Sequence, residues 1–394
     1  MKKCLAFLMS LLFLLQAMPV YATETPQLFP PAYAVFEEWT TTASLTGDLE
    51  CKAGLLMEAS TGRILYQNNE NEELPIASVT KIMSTLLVCE AIAKGKIKID
   101  DTVTVSAYAA SMGGSQVFLE PGEQMSVDEL LKCLIVVSAN DAAVALAEHI
   151  YGSAESFVAA MNTRAKELGM EHTYFANTTG LDDGGYSSAL DVALMTRELL
   201  NHPLIFNYTT IWMDTVRDGA FGLSNTNRLV RFYQGANGMK TGFTTEAMYC
   251  VSATALRDGM QLIAVVLGSP SSDKRFAAAK QMLDFGFANY CTVKPAAVEI
   301  APVAVKGGCA ATVTASYAPP SILAEKGGGD IKTETVLVSD LSAPVAKGQK
   351  IGEAVFSADG KELCRVDITA DKTVEKLTYG KLLNKIWKNI LSFV

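Results

Sequence analysis

Pro75-Ile76-Ala77-Ser78-Val79-Thr80-Lys81 is the stretch around which the chain is organised. It follows a polar run at 67–73 and leads into an apolar segment at 82–93, a pattern that predicts a helix beginning here. Proline suits the first turn of a helix, where its missing N–H is not needed, so Pro75 is placed in that turn. Ser78 and Lys81 then share a face one turn apart. A hydroxyl beside an amine is a nucleophile with a resident base. The spacing alone decides nothing, because Ser271 and Lys274 repeat it.

Upstream, apolar runs at 53–57 and 64–66 flank Ser60-Thr61-Gly62-Arg63 and predict a β-hairpin. Residues 1–22 read as a cleaved signal peptide: Lys2 and Lys3, a short apolar core at 5–15, then Val20-Tyr21-Ala22 before the cut. A Pro- and Thr-rich arm, 23–47, follows. The product is expected on the extracytoplasmic face of the cell membrane.

Downstream, Val103 and Val105 suggest a short strand, and 107–125 reads as an irregular surface segment. Ser126-Val127-Asp128-Glu129 has the form of a capping box before a helix. That helix stops at Ser138-Ala139-Asn140, and another runs on to Tyr151. Two more helices are expected at 156–168 and 188–200, joined by a polar loop at 177–187. Asn237-Gly238 is read as a turn before a strand that opens Met239-Lys240-Thr241-Gly242-Phe243. Two strand-like runs joined by Arg257-Asp258-Gly259 form a hairpin, and a helix covers 273–289.

Beyond it, 291–373 is rich in Val, Ala, Gly and Thr and reads as a small β-rich domain. Residues 374–394 carry Tyr379, Leu383, Ile386, Trp387 and Ile390 at helical spacing, with Lys376, Lys381, Lys385 and Lys388. This is a basic amphipathic helix suited to an anionic membrane surface.

The totals exclude several classes. With 394 residues, 49% hydrophobic and 19% charged, the chain is globular and long enough for more than one unit. A net charge of -9 disfavours nucleic acid as a partner. Three scattered histidines, no Cys-x-x-Cys and no phosphate-binding glycine loop give no reason to expect a metal or any cofactor. The widely spaced cysteines read as buried free thiols rather than a disulfide framework.

Three motifs now stand in order: Ser78-Val79-Thr80-Lys81, Ser138-Ala139-Asn140 and Lys240-Thr241-Gly242. The trio is that of penicillin-binding proteins and class A β-lactamases. The sequence resembles the low-molecular-weight penicillin-binding proteins that are D-alanyl-D-alanine carboxypeptidases, also through Asn225-Thr226-Asn227-Arg228-Leu229 and Arg257-Asp258-Gly259-Met260. The resemblance implies an α+β fold with a helix-flanked antiparallel sheet, a catalytic domain at 48–290, a β-rich domain and a membrane-bound terminal helix.

It also implies roles. Ser78 attacks the penultimate D-alanine of a peptidoglycan stem, Lys81 takes its proton, Ser138 relays a proton to the leaving D-alanine, and Asn140 positions Lys81 and the substrate amide. Lys240 and Thr241 hold the terminal carboxylate, with Arg275 assisting. Gly242 lets the substrate backbone approach, and the N–H groups of Ser78 and Phe243 form the oxyanion hole. β-Lactams are expected as covalent inhibitors. The chain departs from the family at Gly185-Tyr186-Ser187, where a histidine often precedes the Tyr-Ser, and at Met248, often glycine.

Three alternatives stay open at this point. A class A β-lactamase would carry Glu-x-x-Leu-Asn between Ser138 and Lys240, which is absent. A muropeptide D,D-endopeptidase uses the same chemistry on a cross-link. A non-catalytic penicillin-binding sensor would be expected to lack Ser78 or Lys81.

Overall fold

The computed structural model describes residues 45, 47, 49–181 and 184–391. The leader and nearly all of the arm lie outside these residues, as do Asp182, Asp183 and 392–394.

The predicted hairpin forms as β1 (Ala53–Glu58) and β2 (Ile64–Asn68), with Leu55 opposite Gln67. Its turn is fastened by the Glu58 carboxylate, which accepts from the backbone N–H and hydroxyl of both Ser60 and Thr61. Strands β3 (Ala236–Thr244), β4 (Met248–Arg257) and β5 (Met260–Ser269) complete an antiparallel sheet in the order β2-β1-β5-β4-β3. Asp258 and Gly259 both have positive φ, 49° and 80°, which matches the turn twist to the strand twist.

The sheet is covered on both faces, so β5 is one continuous apolar run rather than an alternating one. Ile263, Val265 and Leu267 enter the larger core, whereas Leu262, Ala264 and Val266 enter the second. Helices α1 (Lys81–Ala93), α2 (Val127–Val136), α3 (Asn140–Tyr151), α4 (Ala154–Glu167) and α5 (Ala189–Leu199) contribute to the larger core. Helix α6 (Ser272–Asn289) covers the other face through Phe276, Met282 and Leu283. Gly286 permits that approach, since a Cβ there would come 2.5 Å from Leu262 Cδ1. Helix α1 is buried on every side from Lys81 to Ala91, the mark of a central helix.

The capping box at Ser126 and Glu129 is present. Ser271, the rival serine, caps α6: its hydroxyl accepts from the Lys274 backbone N–H, and the Lys274 ammonium pairs with Glu50.

Three expectations need correction. Pro75 precedes the helical turn, which begins at Ala77 with Ile76 as its cap. Asn237-Gly238 is not a turn but part of β3; Asn237 is held there by side-chain bonds to Gln261 and Thr254. The segment at 107–125 is irregular only in part, because Gln124–Ser126 pairs with Thr102–Thr104.

The C-terminal region has its own core. Strands β6 (Lys332–Leu337), β7 (Lys350–Ala358) and β8 (Lys361–Ala370) form a sheet with the short strand Ala315–Ser316. Ile351, Phe356 and Ile368 are fully buried beneath it, each worth about 1.5–3 kcal/mol. Helix α7 (Tyr379–Leu391) ends the described chain. No helix among the described residues is long and apolar enough to cross a membrane. Of the seven described cysteines, only Cys89, Cys133 and Cys250 are buried.

Candidate active site

Ser78 lies in a 3-10 turn, Ala77–Thr80, that runs directly into α1. Residues three apart eclipse in such a turn. Lys81 Nζ therefore reaches Ser78 Oγ at 2.9 Å. Lys81 is fully buried, and Nζ donates also to the Thr179 carbonyl at 2.9 Å. That carbonyl belongs to the polar loop read at 177–187. Asn177 Oδ1 shapes the loop by accepting from Thr179 N, Thr179 Oγ1 and Gly180 N. Ser84 Oγ holds it to α1 by donating to the Thr178 carbonyl at 2.7 Å. Ala77 is forced to φ 47°, a strained conformation for a residue with a side chain, just before the nucleophile.

Ser138 sits between α2 and α3 with φ 65°. The turn is fixed by Ala139 N donating to Cys133 O and Asn140 N donating to Ser115 O. Asn140 Nδ2 donates to Gly113 O at 2.7 Å. The next residue, Asp141, accepts from the Val117 and Leu119 N–H groups and so pins the 113–119 segment beside Asn140.

Lys240, Thr241 and Gly242 lie on β3, the edge strand of the sheet, which packs against the turn that carries Ser78. A Cβ on Gly242 would come 2.6 Å from Ile76 O and 3.1 Å from Ser78 N. The glycine is thus required by the turn that carries Ser78, a constraint that stands beside the substrate approach read from the sequence. Lys240 Nζ donates to Thr241 O at 3.0 Å, and Thr241 Oγ1 donates to Thr226 Oγ1 at 2.8 Å. Phe243 turns its exposed ring onto Tyr249. Arg275, on the first turn of α6, donates to Gly242 O at 2.9 Å and Cys250 O at 3.2 Å, so it is buried against the strand rather than lying on the helix surface.

Four buried side-chain polar atoms among the described residues have no hydrogen-bond partner, and three are Ser138 Oγ, Asn140 Oδ1 and Arg275 Nε. Leaving such a group unpaired costs about 1–3 kcal/mol. Their concentration at the Ser138-Ala139-Asn140 motif and at Arg275 fits a site built for groups that arrive from outside.

The charges fit as well. Burial first, then the neighbouring Lys240, pull Lys81 well below the usual lysine range, with Asp141 opposing. Burial and Arg275 bring Lys240 down to about 7. Arg275 is lowered by burial to about 10 and stays charged at neutral pH. Lys81 and Lys240 line one small cavity with Thr85 and Thr209. A lysine lowered on folding makes the folded state lose stability while charged, and the loss fades as pH rises from the folded value near 7 towards the unfolded one near 10.5. Lys240→Met is therefore expected to raise the melting temperature at pH 7, with the gap narrowing by pH 10. A constant gap measured by thermal unfolding across that range would contradict this.

Sequence reasoning singled out the motif residues but assigned nothing to Thr226, Asn177 or Gly180. Thr226 stood within a quoted stretch, and the close Gly180 contact is visible only in three dimensions.

A serine hydrogen-bonded to a buried lysine whose ammonium form is disfavoured, with buried donors and cations beside an edge strand, suits nucleophilic acyl transfer on a substrate that ends in a carboxylate. Residues 39–271 match the family model for D-alanyl-D-alanine carboxypeptidase, and 299–376 match the penicillin-binding protein 5 C-terminal domain. D-alanyl-D-alanine carboxypeptidase DacF of Bacillus subtilis (strain 168) is 45% identical over 345 residues, covering 85% of this chain and 89% of that protein. The Escherichia coli (strain K12) carboxypeptidase DacC is 33% identical over 92% of each chain. The crystal structure of penicillin binding protein 5 from Haemophilus influenzae aligns with TM-score 0.76 at 33% identity, covering 85% of this chain and 100% of that one. The ampicillin-bound penicillin-binding protein D2 of Listeria monocytogenes aligns with TM-score 0.55 at 33% identity, covering 61% and 99%.

The chain belongs to the D-alanyl-D-alanine carboxypeptidase family of serine hydrolases. The α+β architecture expected from the sequence is the one found.

Proposed function

We propose that the protein removes the terminal D-alanine from peptidoglycan pentapeptide stems through an acyl-enzyme on Ser78, and that β-lactams acylate the same hydroxyl. The observation that carries this is the 2.9 Å bond between Ser78 Oγ and a fully buried Lys81 whose ammonium form is disfavoured.

Neutral Lys81 takes the Ser78 proton as Oγ attacks the penultimate D-alanine carbonyl. The Ser78 and Phe243 N–H groups stabilise the oxyanion. Ser138 passes a proton to the departing amine, the terminal D-alanine leaves, and water hydrolyses the ester. Asn140 Oδ1, otherwise unpaired, accepts from the substrate amide. Lys240, Thr241 and Arg275 receive the terminal carboxylate, with charge from the cations and a hydroxyl donor from Thr241. Incubation with a pentapeptide stem should release D-alanine. Cleavage of a cross-linked dimer without such release would favour the endopeptidase reading instead, and neither activity would favour a sensor.

The C-terminal helix is proposed to hold the exported enzyme on the outer face of the membrane. Tyr379, Leu382, Leu383 and Trp387 are exposed on α7 instead of docking on the protein. Ending the chain before Tyr379 should release activity from anionic vesicles in a flotation assay while D-alanine release persists. A truncated protein that still floats with the vesicles would overturn that assignment.

A further inference from the structure

We infer that the cleft beside the nucleophile reads a side-chain ammonium on the acyl half of the substrate, and that Glu246 is the residue that selects it. The inference rests on the carboxypeptidase reading and specifies its substrate class.

Strand β3 gives the site a direction. Lys240 and Thr241, which receive the terminal carboxylate, lie mid-strand, and the strand then runs through Phe243 to Thr244. A peptide whose reacting carbonyl sits over Ser78 must send its acyl half the other way, past Thr244 towards Glu246.

A cleft of about 180 Å3 opens there. Its walls include Ile76, Ala77, Phe175, Asn177, Tyr186 and Glu246, so it begins at the residue before the nucleophile. It has room for a long side chain of the peptide. Among the described lining residues Glu246 is the one charged side chain; it is exposed, with no hydrogen bond or ion pair to the protein. Tyr186 pairs with Tyr174 at 6.2 Å between ring centroids and gives the same cleft an aromatic wall. A free carboxylate beside an aromatic face suits an alkylammonium: the carboxylate takes the charge and the ring takes the stem.

The site is therefore polar along its length, cationic where the carboxylate ends and anionic where the acyl half lies. Its match is a stem whose third residue carries a terminal amine. Both L-lysine and meso-diaminopimelate present that group, the second with an added carboxylate.

The test compares kcat/KM for D-alanine release from three tripeptides ending D-Ala-D-Ala: free L-lysine, Nε-acetyl-lysine, and meso-diaminopimelate at the first position. The parent enzyme should prefer free lysine over its acetylated form by about 1.4- to fivefold, the range of an exposed charge pair. E246Q should bring that ratio close to one, and E246K should invert it. Diaminopimelate used as well as free lysine shows that the ammonium alone is read; slower use, still abolished by E246Q, shows the same carboxylate rejecting the extra anion. Penicillin acylation of each variant reports whether the nucleophile is intact. Equal rates on free and acetylated lysine, or a preference that survives E246Q, would overturn the inference alone. Release from none of the peptides would sink the carboxypeptidase reading and this inference with it.

Discussion

Lys81→Met lowers the rate of acylation by penicillin by about 10²–10⁴-fold, the range for losing a positioned base. Methionine keeps much of the buried volume and removes an amine that burial already penalises, so the fold is expected to survive. What goes is the hydrogen bond to Ser78 Oγ and the acceptor for its proton. The pH profile separates chemistry from damage. In the parent enzyme acylation rises as pH passes the Lys81 value, because only the neutral amine accepts a proton; that value lies well below 10.5, so the rise comes early. In Lys81→Met that limb should vanish. Stopped-flow acylation of the variant at the parent rate, with the same pH dependence, would mean that another group is the base.

Gly180→Ala is expected to be nearly as damaging, although residue 180 takes no part in the chemistry. Gly180 has φ +73°, and a Cβ there would lie 2.0 Å from the Ala77 carbonyl oxygen and 2.6 Å from Thr80 Oγ1. Left-handed backbone costs a residue with a side chain about 1–2 kcal/mol. Overpacking adds about 1–3 kcal/mol, because the Ala77 carbonyl is backbone that cannot rotate away. The turn carrying Ser78 must shift, and a displacement near 1 Å can cost about 10²-fold in rate. Gly95→Ala is the control, with φ +68° but nothing within 4 Å. It should pay the backbone cost without losing activity. Equal melting temperatures and acylation rates for the two variants would contradict the packing argument.

The sequence made the site legible because its chemistry is concentrated in three short runs. Two of the runs lie where an element starts or stops, Ser78 at a helix start and Ser138 between helices, and the third, at Lys240, lies within a strand. The hairpins were legible for a related reason, since Asp258-Gly259 has the residues that the turn dihedrals demand. Pro75 and Asn237-Gly238 misled because local propensity is weak against tertiary bonds. Asn237 satisfies its side chain across the sheet, and Ile76 provides a carbonyl to which the Val79 N–H returns. Gly242 shows the limit differently: the residue was found, but its close contact with a turn more than 160 positions earlier was not. The Thr179 carbonyl on Lys81 and the cleft at Glu246 were beyond reach, because a backbone carbonyl carries no side-chain signature and a cleft exists only after folding.

A covalent intermediate at Ser78 is tested most directly by mass spectrometry of the trapped enzyme. The protein is mixed with penicillin, quenched in acid, digested, and the acylated peptide sequenced. The prediction is a single adduct on Ser78, absent from Ser78→Ala and suppressed by a pentapeptide stem that competes for the site. An adduct on any other residue, or one that persists in Ser78→Ala, would contradict it.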